Sequence, residues 1–410
     1  MSQSSSKFTQ TGHQSRVFDS VVLARPDALL ALIDAYRTDP RDFKMDLGVG
    51  VYRDKWGRTP VLACVKAAEK ILWNQQQSKS YLGAEGSSAF VEALTPLVFG
   101  DALPVSRWRL SGLQTVGGTG ALRLAAELLR VAGRRRIWIG KPTWLNHESI
   151  FRAADIEILH YDYFDRGSQS VRVDAMLDAL EAAQPGDAFL LHGACHNPTG
   201  ADLDINAWRQ VTDRVVKNGL LPVIDIAYQG FGQDTDEDAA GPRFLLAHAP
   251  AALVAVSCSK TFGLYRERTG AIFSVTQDTA QLVAVRSNLV SISRAMYSMP
   301  PDHGAAIVST ILQDPALTAI WEGELAAMRE RIAGIRQCLA AAAVSAGLSV
   351  KAISRQRGMF SLLDLTDAQV DWLRQEHGIY MAPGGRINVA GLTEQTVPRL
   401  VRALSACMTL

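Results

Sequence analysis

Residues 257–270 read SCSKTFGLYRERTG and lie between two short apolar runs, LVAVS at 253–257 and AIFSV at 271–275. Apolar runs of this length predict buried strands. Lys260 therefore lies just beyond a strand, with hydroxyl side chains before it and arginines after it. Such a lysine can condense with an aldehyde, and the serines and an arginine can bind a phosphate. A basic surface loop has the same composition, so this stretch alone leaves both interpretations open.

Outward from this stretch, apolar runs alternate with helical patterns. Residues 205–215 carry apolar side chains at helical spacing, and a second such pattern follows Gly120. This alternation predicts βαβ units, and therefore an α/β fold with a mostly parallel sheet. Ligands of such sheets bind beyond the carboxyl ends of the strands. The further predicted strands are Arg136–Gly140, Ala188–His192 and Pro222–Ala227.

The carboxyl-terminal third predicts one long helix and a smaller α+β unit. From about Thr318 to Ala346, apolar side chains recur at alternating steps of four and three, which gives one apolar stripe along a helix. Residues 350–365 and 385–389 predict short strands of this smaller unit, and residues before about position 60 are expected to belong to it as well. A chain of 410 residues is long enough for two domains.

Composition excludes several classes of protein. Hydrophobic residues make up 48% of the chain, charged residues 20%, and the net charge is +1, so neither a nucleic acid nor a membrane surface is expected as a partner. No apolar run reaches the length of a membrane span. The five cysteines lack C-x-x-C spacing, which argues against a metal site and favours a reducing, cytoplasmic location. Residues 1–16 predict a disordered polar tail, with a transit peptide as the alternative.

The segment 225–231, DIAYQGF, places a carboxylate at the end of a predicted strand. Burying a lone carboxylate is costly, so Asp225 requires a positive partner there. A protonated pyridine nitrogen is such a partner, and the carboxylate in turn keeps that ring an electron sink. A helix N-cap or a turn is the alternative explanation.

Two further segments carry turn and glycine signals. The segment HNPTG at 196–200 is typical of a tight loop, in which the Asn197 amide can also donate to a ring oxygen. The segment GGTGAL at 117–122 opens a helix, where backbone N–H groups and the helix dipole favour an anion such as phosphate. A dinucleotide site is less favoured, because the third small residue of G-x-G-x-x-G is absent.

Together these four segments place a lysine, a partner for a pyridine ring, a ring-oxygen donor and a phosphate cradle after different strands of one sheet. A dehydrogenase or a passive binding module has no use for the whole set. With these residues, the chain resembles class I aminotransferases of fold type I, in the pyridoxal-phosphate-dependent aspartate and aromatic amino-acid branch. The resemblance extends from about Val17 to the C-terminus. Its other motifs are LGVGVY at 47–52, YLG at 81–83, PTW at 142–144, SRAMYS at 293–298, GMFS at 358–361 and GRINVAG at 385–391.

The resemblance implies a fold and an assembly. The fold has a large domain, in which helices flank a mostly parallel seven-stranded sheet, and a smaller α+β domain. It also implies a homodimer with shared active sites, to which Tyr81 and Arg294 come from the neighbouring subunit. The implied boundaries are 17–59 for an N-terminal arm and part of the small domain, 60–328 for the large cofactor-binding domain, and 329–410 for the small domain.

The resemblance also assigns residues to pyridoxal phosphate. Lys260 would hold the cofactor as a Schiff base and, once displaced by the substrate, would move the proton. Asp225 would pair with the pyridine nitrogen, supported by His147, and Tyr228 is the third implied catalytic residue. The other implied contacts are Tyr228 and Asn197 at the ring oxygen, Trp144 on the ring face, Gly118, Thr119, Ser257 and Arg268 at the phosphate, and Tyr81.

On the substrate side, the resemblance implies that Arg386 binds the α-carboxylate, assisted by Asn197 and the backbone near Gly50. Arg294 would meet the distal carboxylate of a dicarboxylic substrate, because two carboxylates need two separated guanidinium groups. A surface arginine is the alternative for Arg294. The remaining implied substrate contacts are Trp144 and Phe360, for which core packing is the alternative.

The implied activity moves an amino group between an aspartate or aromatic L-amino acid and 2-oxoglutarate by a ping-pong mechanism. Gly385 and Met299 are expected to make the substrate pocket roomier or more apolar, which favours aromatic side chains. Val51, Thr59 and Thr119 instead match the aspartate-preferring pattern. The alternatives are a specialised biosynthetic aminotransferase with a non-standard substrate, and a β-lyase or decarboxylase that uses the same cofactor.

Overall fold

A computed structural model of the chain describes residues 18–23, 28–101, 105–348 and 351–408. The polar tail predicted at 1–16, and its alternative as a transit peptide, lie outside the described residues. Within the described ranges, no helix is both long enough and apolar enough to cross a membrane.

A seven-stranded sheet forms the centre of the fold. The strands of the described residues, including the short ones outside this sheet, are β1 (Met45–Asp46), β2 (Leu110–Val116), β3 (Arg136–Lys141), β4 (Glu157–Asp162), β5 (Phe164–Asp165), β6 (Ser170–Val171), β7 (Ala188–His192), β8 (Leu221–Ile226), β9 (Ala252–Ser257), β10 (Thr269–Val275), β11 (Phe360–Leu362), β12 (Ile379–Tyr380) and β13 (Arg386–Asn388). The order in the sheet is β2-β10-β9-β8-β7-β3-β4. Only β10 runs antiparallel to its neighbours in this sheet, which confirms the predicted α/β fold with a mostly parallel sheet.

The five strands predicted from apolar runs are β3, β7, β8, β9 and β10, each shifted by at most two residues at either end. The strands β2 and β4 have no such run, and the sequence does not predict them. Both lie at the edges of the sheet. Interior strands of a largely parallel sheet are buried on both faces, whereas edge strands tolerate polar residues. The sequences LSGLQTV and EILHYD are therefore too polar to be recognised as strands.

Helices pack on both faces of the sheet. Alternate residues of β9 belong to separate apolar cores, since Leu253 and Ala255 face one core while Val254 and Val256 face the other. The helices of the described residues are α1 (Ala28–Thr38), α2 (Ala63–Gln75), α3 (Ser88–Phe99), α4 (Gly117–Val131), α5 (Asn146–Arg152), α6 (Val173–Ala182), α7 (Ile205–Lys217), α8 (Glu237–His248), α9 (Thr279–Met296), α10 (Asp302–Gln313), α11 (Pro315–Ser345), α12 (Asp367–His377) and α13 (Val397–Cys407).

The long helix predicted near Thr318 is α11, which begins three residues earlier. Asp314 caps it, because Oδ1 accepts from the amides of Ala316 and Leu317 at 2.8 and 3.2 Å. Pro315 occupies the first turn, where a missing N–H costs nothing. The predicted apolar stripe of this helix is buried, so α11 forms part of the core.

One of the smaller sheets joins the two ends of the chain. The strand β1 pairs in parallel with β12, through Met45 and Ile379. The strand β11 pairs antiparallel with β13, through Phe360 and Asn388. The predicted link between residues before position 60 and the carboxyl-terminal α+β segment is therefore present.

Candidate active site

Polar side chains gather at the carboxyl edge of the central sheet. Asp225 lies near the end of β8, and Lys260 follows β9, the neighbouring strand. Because β8 and β9 are parallel, their carboxyl ends meet at one edge, and both residues line one cavity of about 130 Å³, which we call the sheet-edge cavity. It is lined by Gly118, Thr119, Leu122, Trp144, His192, Asn197, Asp225, Ala227, Tyr228, Ser257, Ser259, Lys260 and Arg268. Every same-chain residue that the sequence assigns to the cofactor is in this set.

Lys260 lies in a loop that packs against the long helix α11. The next residues of the loop include Phe262, whose ring stacks on Trp321 of α11 with centroids 4.8 Å apart. The Lys260 Nζ lies 5.1 Å from the centre of the Tyr228 ring. Burial lowers the pKa of Lys260 to about 8, although the negative charge of Asp225 opposes the shift. A useful fraction of the amine is therefore unprotonated near neutral pH, as a nucleophile requires.

Asp225 is buried and is paired on its far side with a histidine. Its Oδ2 lies 3.1 Å from His147 Nε2, and His147 Nδ1 lies 2.8 Å from Thr143 Oγ1. Burial alone would raise the pKa of Asp225, but the hydrogen bond to His147, together with the electrostatic effects of His147, His192 and Lys260, outweighs burial and lowers that pKa. The Trp144 ring meets His147 edge-on, with centroids 5.2 Å apart. Asp225 is therefore an anion at neutral pH, held in one orientation beside the cavity.

Two more histidines, His192 and His196, extend the network of Asp225, His147 and Thr143, and both are uncharged. Thr143 Oγ1 also lies 3.2 Å from His192 Nε2, and the His192 and His196 rings are 4.1 Å apart. Burial lowers the pKa of His192 to about 3, and His147 adds to the shift. Burial likewise lowers the pKa of His196. Both rings are neutral at neutral pH, so they leave the Asp225 charge available to a ligand cation.

The N-terminus of α4 forms an anion cradle in the cavity. A Cβ on Gly118 would lie 3.0 Å from Ser257 Cβ, so glycine lets the helix approach the end of β9. Arg268 Nη1 donates to Ser259 Oγ at 3.3 Å, which orients the guanidinium group. The helix dipole, this guanidinium group and the hydroxyl of Thr119 all favour a phosphate.

A second guanidinium group is joined to the cavity through Asn197. The Asn197 Nδ2 donates to the Tyr228 hydroxyl at 3.4 Å, and its Oδ1 accepts from Arg386 Nη1 at 3.3 Å. Arg386 Nη2 donates to the carbonyl of Gly48 at 2.7 Å. The Phe360 ring covers the guanidinium group, with its centre 4.6 Å from Arg386 Cζ. We call Arg386, Asn197, Gly48 and Phe360 the carboxylate clamp.

Arg386 retains one donor for a ligand. It is buried, and among the described residues its Nε has no hydrogen-bond partner. A buried donor without an acceptor is costly, and a carboxylate matches the geometry of a guanidinium group. Gly50 adjoins the same place, since a Cβ there would lie 2.9 Å from Phe360 Cζ. The clamp is therefore built to bind an anion next to the cavity.

Tyr81 and Arg294 lie on the surface, away from the sheet-edge cavity of their own chain. Tyr81 is 93% exposed, and Arg294 is exposed and donates to Ser298 Oγ. The two segments adjoin, because the Leu82 amide donates to Met299 Sδ at 3.0 Å. Neither Tyr81 nor Arg294 lines the cavity.

Gly385 matters for the conformation of the backbone, and its missing side chain does not widen the substrate pocket. Its φ is +84°, a conformation that glycine adopts most easily. A Cβ there would lie 2.7 Å from the Leu363 carbonyl oxygen, so a side chain would meet backbone. The expectation that Gly385 widens the substrate pocket is replaced by a role in the turn that leads into Arg386.

Four residues that line the cavity are not among those that the sequence assigns to the site, namely Leu122, Ala227 and the polar Ser259 and His192. Ser259 lies inside the quoted stretch 257–270, where the alternation of serines next to Lys260 is the available signal. The only feature of the sequence that points to His192 is that a polar residue ends a predicted strand. Within the described ranges, no group of His, Cys, Asp or Glu side chains could hold a metal ion.

A lysine, a buried carboxylate and an anion cradle at one edge of an α/β sheet are the parts that a pyridoxal-phosphate enzyme needs. The family model described as aminotransferase class I and II matches residues 42–404. The chain belongs to this family, which depends on pyridoxal phosphate, and it is an aminotransferase.

Similar proteins agree with this assignment. The chain is 54% identical over 376 residues to a tyrosine aminotransferase of Rhizobium meliloti (strain 1021), covering 92% of this chain and 96% of the relative. It is 41% identical to an aspartate aminotransferase of Escherichia coli (strain K12), covering 96% and 100%. A solved aromatic-amino-acid aminotransferase from Burkholderia pseudomallei, covalently bound to pyridoxal phosphate, matches with a TM-score of 0.90 and 40% identity, covering 95% of this chain and 99% of that chain.

Proposed function

We propose that this aminotransferase moves the amino group between an aspartate or aromatic L-amino acid and 2-oxoglutarate. The mechanism is ping-pong, because one cavity serves both half-reactions and the first product leaves before the second substrate binds. The observation that supports this proposal most directly is that Asn197 joins the sheet-edge cavity to the carboxylate clamp. It hydrogen-bonds Tyr228 in the cavity and Arg386 in the clamp. An amino acid held by Arg386 would have its α-carbon next to the sheet-edge cavity.

The residues of the cavity fit pyridoxal phosphate. When bound, the cofactor supplies an aldehyde and an electron-withdrawing pyridine ring. Lys260 offers the amine, and Asp225, kept anionic by His147, offers a counter-charge for the ring nitrogen. The remaining proposed contacts are Tyr228 and Asn197 for the ring oxygen, Trp144 for the ring face, and Gly118, Thr119, Ser257 and Arg268 for the phosphate.

Lys260 is also the proposed proton carrier. With pyridoxal phosphate bound and a substrate held by Arg386, the free amine of Lys260 would lie next to the substrate α-carbon, where Nζ would take up the proton and return it. A base works best when its pKa lies near the operating pH, and burial lowers the pKa of Lys260 to about 8. Burial raises the pKa of the Tyr228 phenol, so its hydroxyl stays protonated and can donate a hydrogen bond.

The substrate side is proposed to use Arg386 for the α-carboxylate, with Asn197 and the backbone near Gly50. The curated relatives include a tyrosine aminotransferase and an aspartate aminotransferase, which supports activity on both aromatic and dicarboxylic amino acids. The further proposed substrate contacts are Trp144 and Phe360.

We also propose a cytoplasmic homodimer in which Tyr81 and Arg294 complete the neighbouring subunit's site. Their exposure, and their absence from the lining of the cavity of their own chain, support this arrangement. In each subunit, residues 17–59 would form the arm and part of the small domain, 60–328 the large domain and 329–410 the small domain.

The direct test of the reaction is stoichiometry. Purified protein is given tyrosine or aspartate together with 2-oxoglutarate, and glutamate and the new oxo acid are quantified. We expect one glutamate for each oxo acid formed. Release of ammonia without glutamate would identify a β-lyase, and release of carbon dioxide would identify a decarboxylase. Glutamate formed only from some other donor would support a specialised aminotransferase.

Shared sites are tested by mixing two inactive proteins, Lys260→Ala and Arg294→Asp, under conditions that exchange subunits. A hybrid dimer then contains one site with both residues intact. Random exchange is expected to restore about a quarter of the wild-type turnover of aspartate. No recovery, with hybrids present by mass spectrometry, would show that each subunit uses its own Arg294.

A further inference from the structure

Arg336 of α11 is a buried cation that bonds the backbone of the segment leading into β11. Its side chain is 2% exposed. It donates to the carbonyls of Phe360 and Gly358 at 2.6 and 2.7 Å, and to Ser361 Oγ at 2.7 Å. Among the described residues, the acceptors it bonds are uncharged oxygens. Burial lowers the pKa of Arg336 to about 10, so the group still carries its charge at neutral pH.

This arginine lies where two loops of the site meet. The Arg357 amide donates to the carbonyl of Gly200 at 2.7 Å. A Cβ on Gly200 would meet the carbonyl oxygen of Phe360 and would lie 3.1 Å from Arg336 Nη2. Gly200 ends the 196–200 loop, and Phe360 begins β11. Arg336 therefore lies at the contact between that loop and that strand, and its hydrogen bonds hold the strand side of the contact.

Each of the two segments contributes one member of the carboxylate clamp. The 196–200 loop carries Asn197, which accepts from Arg386, and β11 carries Phe360, whose ring covers the same guanidinium group. A buried charge that forms no ion pair in the described residues is costly, and here its hydrogen bonds hold the segment 357–361, on which the 196–200 loop rests through the bond from the Arg357 amide to Gly200. Arg336 itself does not line the sheet-edge cavity.

We propose that Arg336 is a positioning residue that sets the affinity for the substrate α-carboxylate by holding Asn197 and Phe360 against Arg386. The proposal rests on the proposed function, since it assigns the clamp to a substrate carboxylate. Because the carboxylate stays bound throughout the reaction, weakening the clamp removes ground-state and transition-state binding alike. Such a change raises KM and leaves kcat nearly constant.

The test compares Arg336→Met with the wild type in steady-state transamination. We expect KM to rise about tenfold for aspartate and for tyrosine by the same factor, with kcat within about threefold of the wild type. The content of bound cofactor and the presence of its visible band are expected to stay unchanged, because Lys260, Asp225 and the anion cradle do not contact Arg336 in the described residues.

Arg331→Met is the matched control. Arg331 lies on the same helix and also donates to backbone carbonyls, those of Ala390 and Leu392 at 3.3 and 2.6 Å. It bonds neither the 196–200 loop nor β11 in the described residues. Its loss is expected to lower the thermal unfolding midpoint while leaving KM unchanged, which separates general destabilisation from an effect on the clamp.

Two milder variants keep the test decisive if Arg336→Met does not fold. Arg336→Lys keeps the charge, and Ser361→Ala removes one acceptor, so each is expected to raise KM about threefold. A fall in kcat or in cofactor content at constant KM would overturn the proposal, as would an equal rise in KM for Arg331→Met. A wild type that forms no glutamate would instead refute the proposed function.

Discussion

The sheet-edge cavity and the carboxylate clamp lie side by side but are built in different ways. Asp225, Lys260 and the anion cradle each border a strand of one sheet, so strand order alone brings them together. The clamp joins Arg386 to Asn197, 189 positions earlier, and to Gly48, 338 positions earlier. Most of the cavity is therefore built at the edge of one sheet, whereas the clamp, which shares Asn197 with the cavity, depends on how distant segments pack. Substrate affinity can change while cofactor chemistry stays the same.

The largest expected effect in this comparison comes from the cavity. Asp225→Asn removes the charge opposite the ring nitrogen while keeping the shape, so kcat is expected to fall about 10³-fold for every donor. Steady-state kinetics with saturating substrate measures this loss. Asp162→Asn is the control, because Asp162 is a surface residue paired with Arg172. A loss below tenfold in Asp225→Asn would mean that this carboxylate does not support the ring.

A change in the carboxylate clamp is expected to raise KM, and therefore to lower kcat/KM. Arg386→Lys keeps a positive charge but loses the paired donors, so kcat/KM should fall about 10²-fold for aspartate and tyrosine alike. The spectrum of the bound cofactor should be unaffected. If the loss is confined to one class of substrate, Arg386 does not bind the carboxylate that all amino acids share.

The sequence predicts members of both sites, but not the residues and backbone conformations that hold the clamp in place. The interior strands are local signals, and the nine residues other than Tyr81 that the motifs and the family resemblance assign to the cofactor line one cavity. The edge strands β2 and β4 carry too few apolar residues to be recognised. Arg336 has no local pattern at all, since its partners lie 17 to 25 positions away and are mostly backbone carbonyls. Gly385 required the observed φ to distinguish a turn from a wider pocket.

The smallest expected effect concerns pH. Because burial lowers the pKa of Lys260 to about 8, the fraction of free amine rises about tenfold per pH unit below 8 and levels off above it. Cofactor-free protein is treated with a small aldehyde and borohydride at each pH, and labelling of Lys260 is read by mass spectrometry. Since Asp225 raises the pKa of Lys260, Asp225→Asn should move the midpoint to lower pH. Labelling that keeps increasing to pH 10 would contradict the shifted pKa.

Covalent binding of the cofactor by Lys260 in the sheet-edge cavity can be observed in the visible spectrum of the purified protein. Wild-type protein is titrated between pH 5 and pH 10 and compared with Lys260→Ala. We expect the wild type to show a visible absorption band that changes reversibly with pH, and the variant to retain pyridoxal phosphate without that band. A wild type without the band, or a variant that keeps it unchanged, would contradict the account.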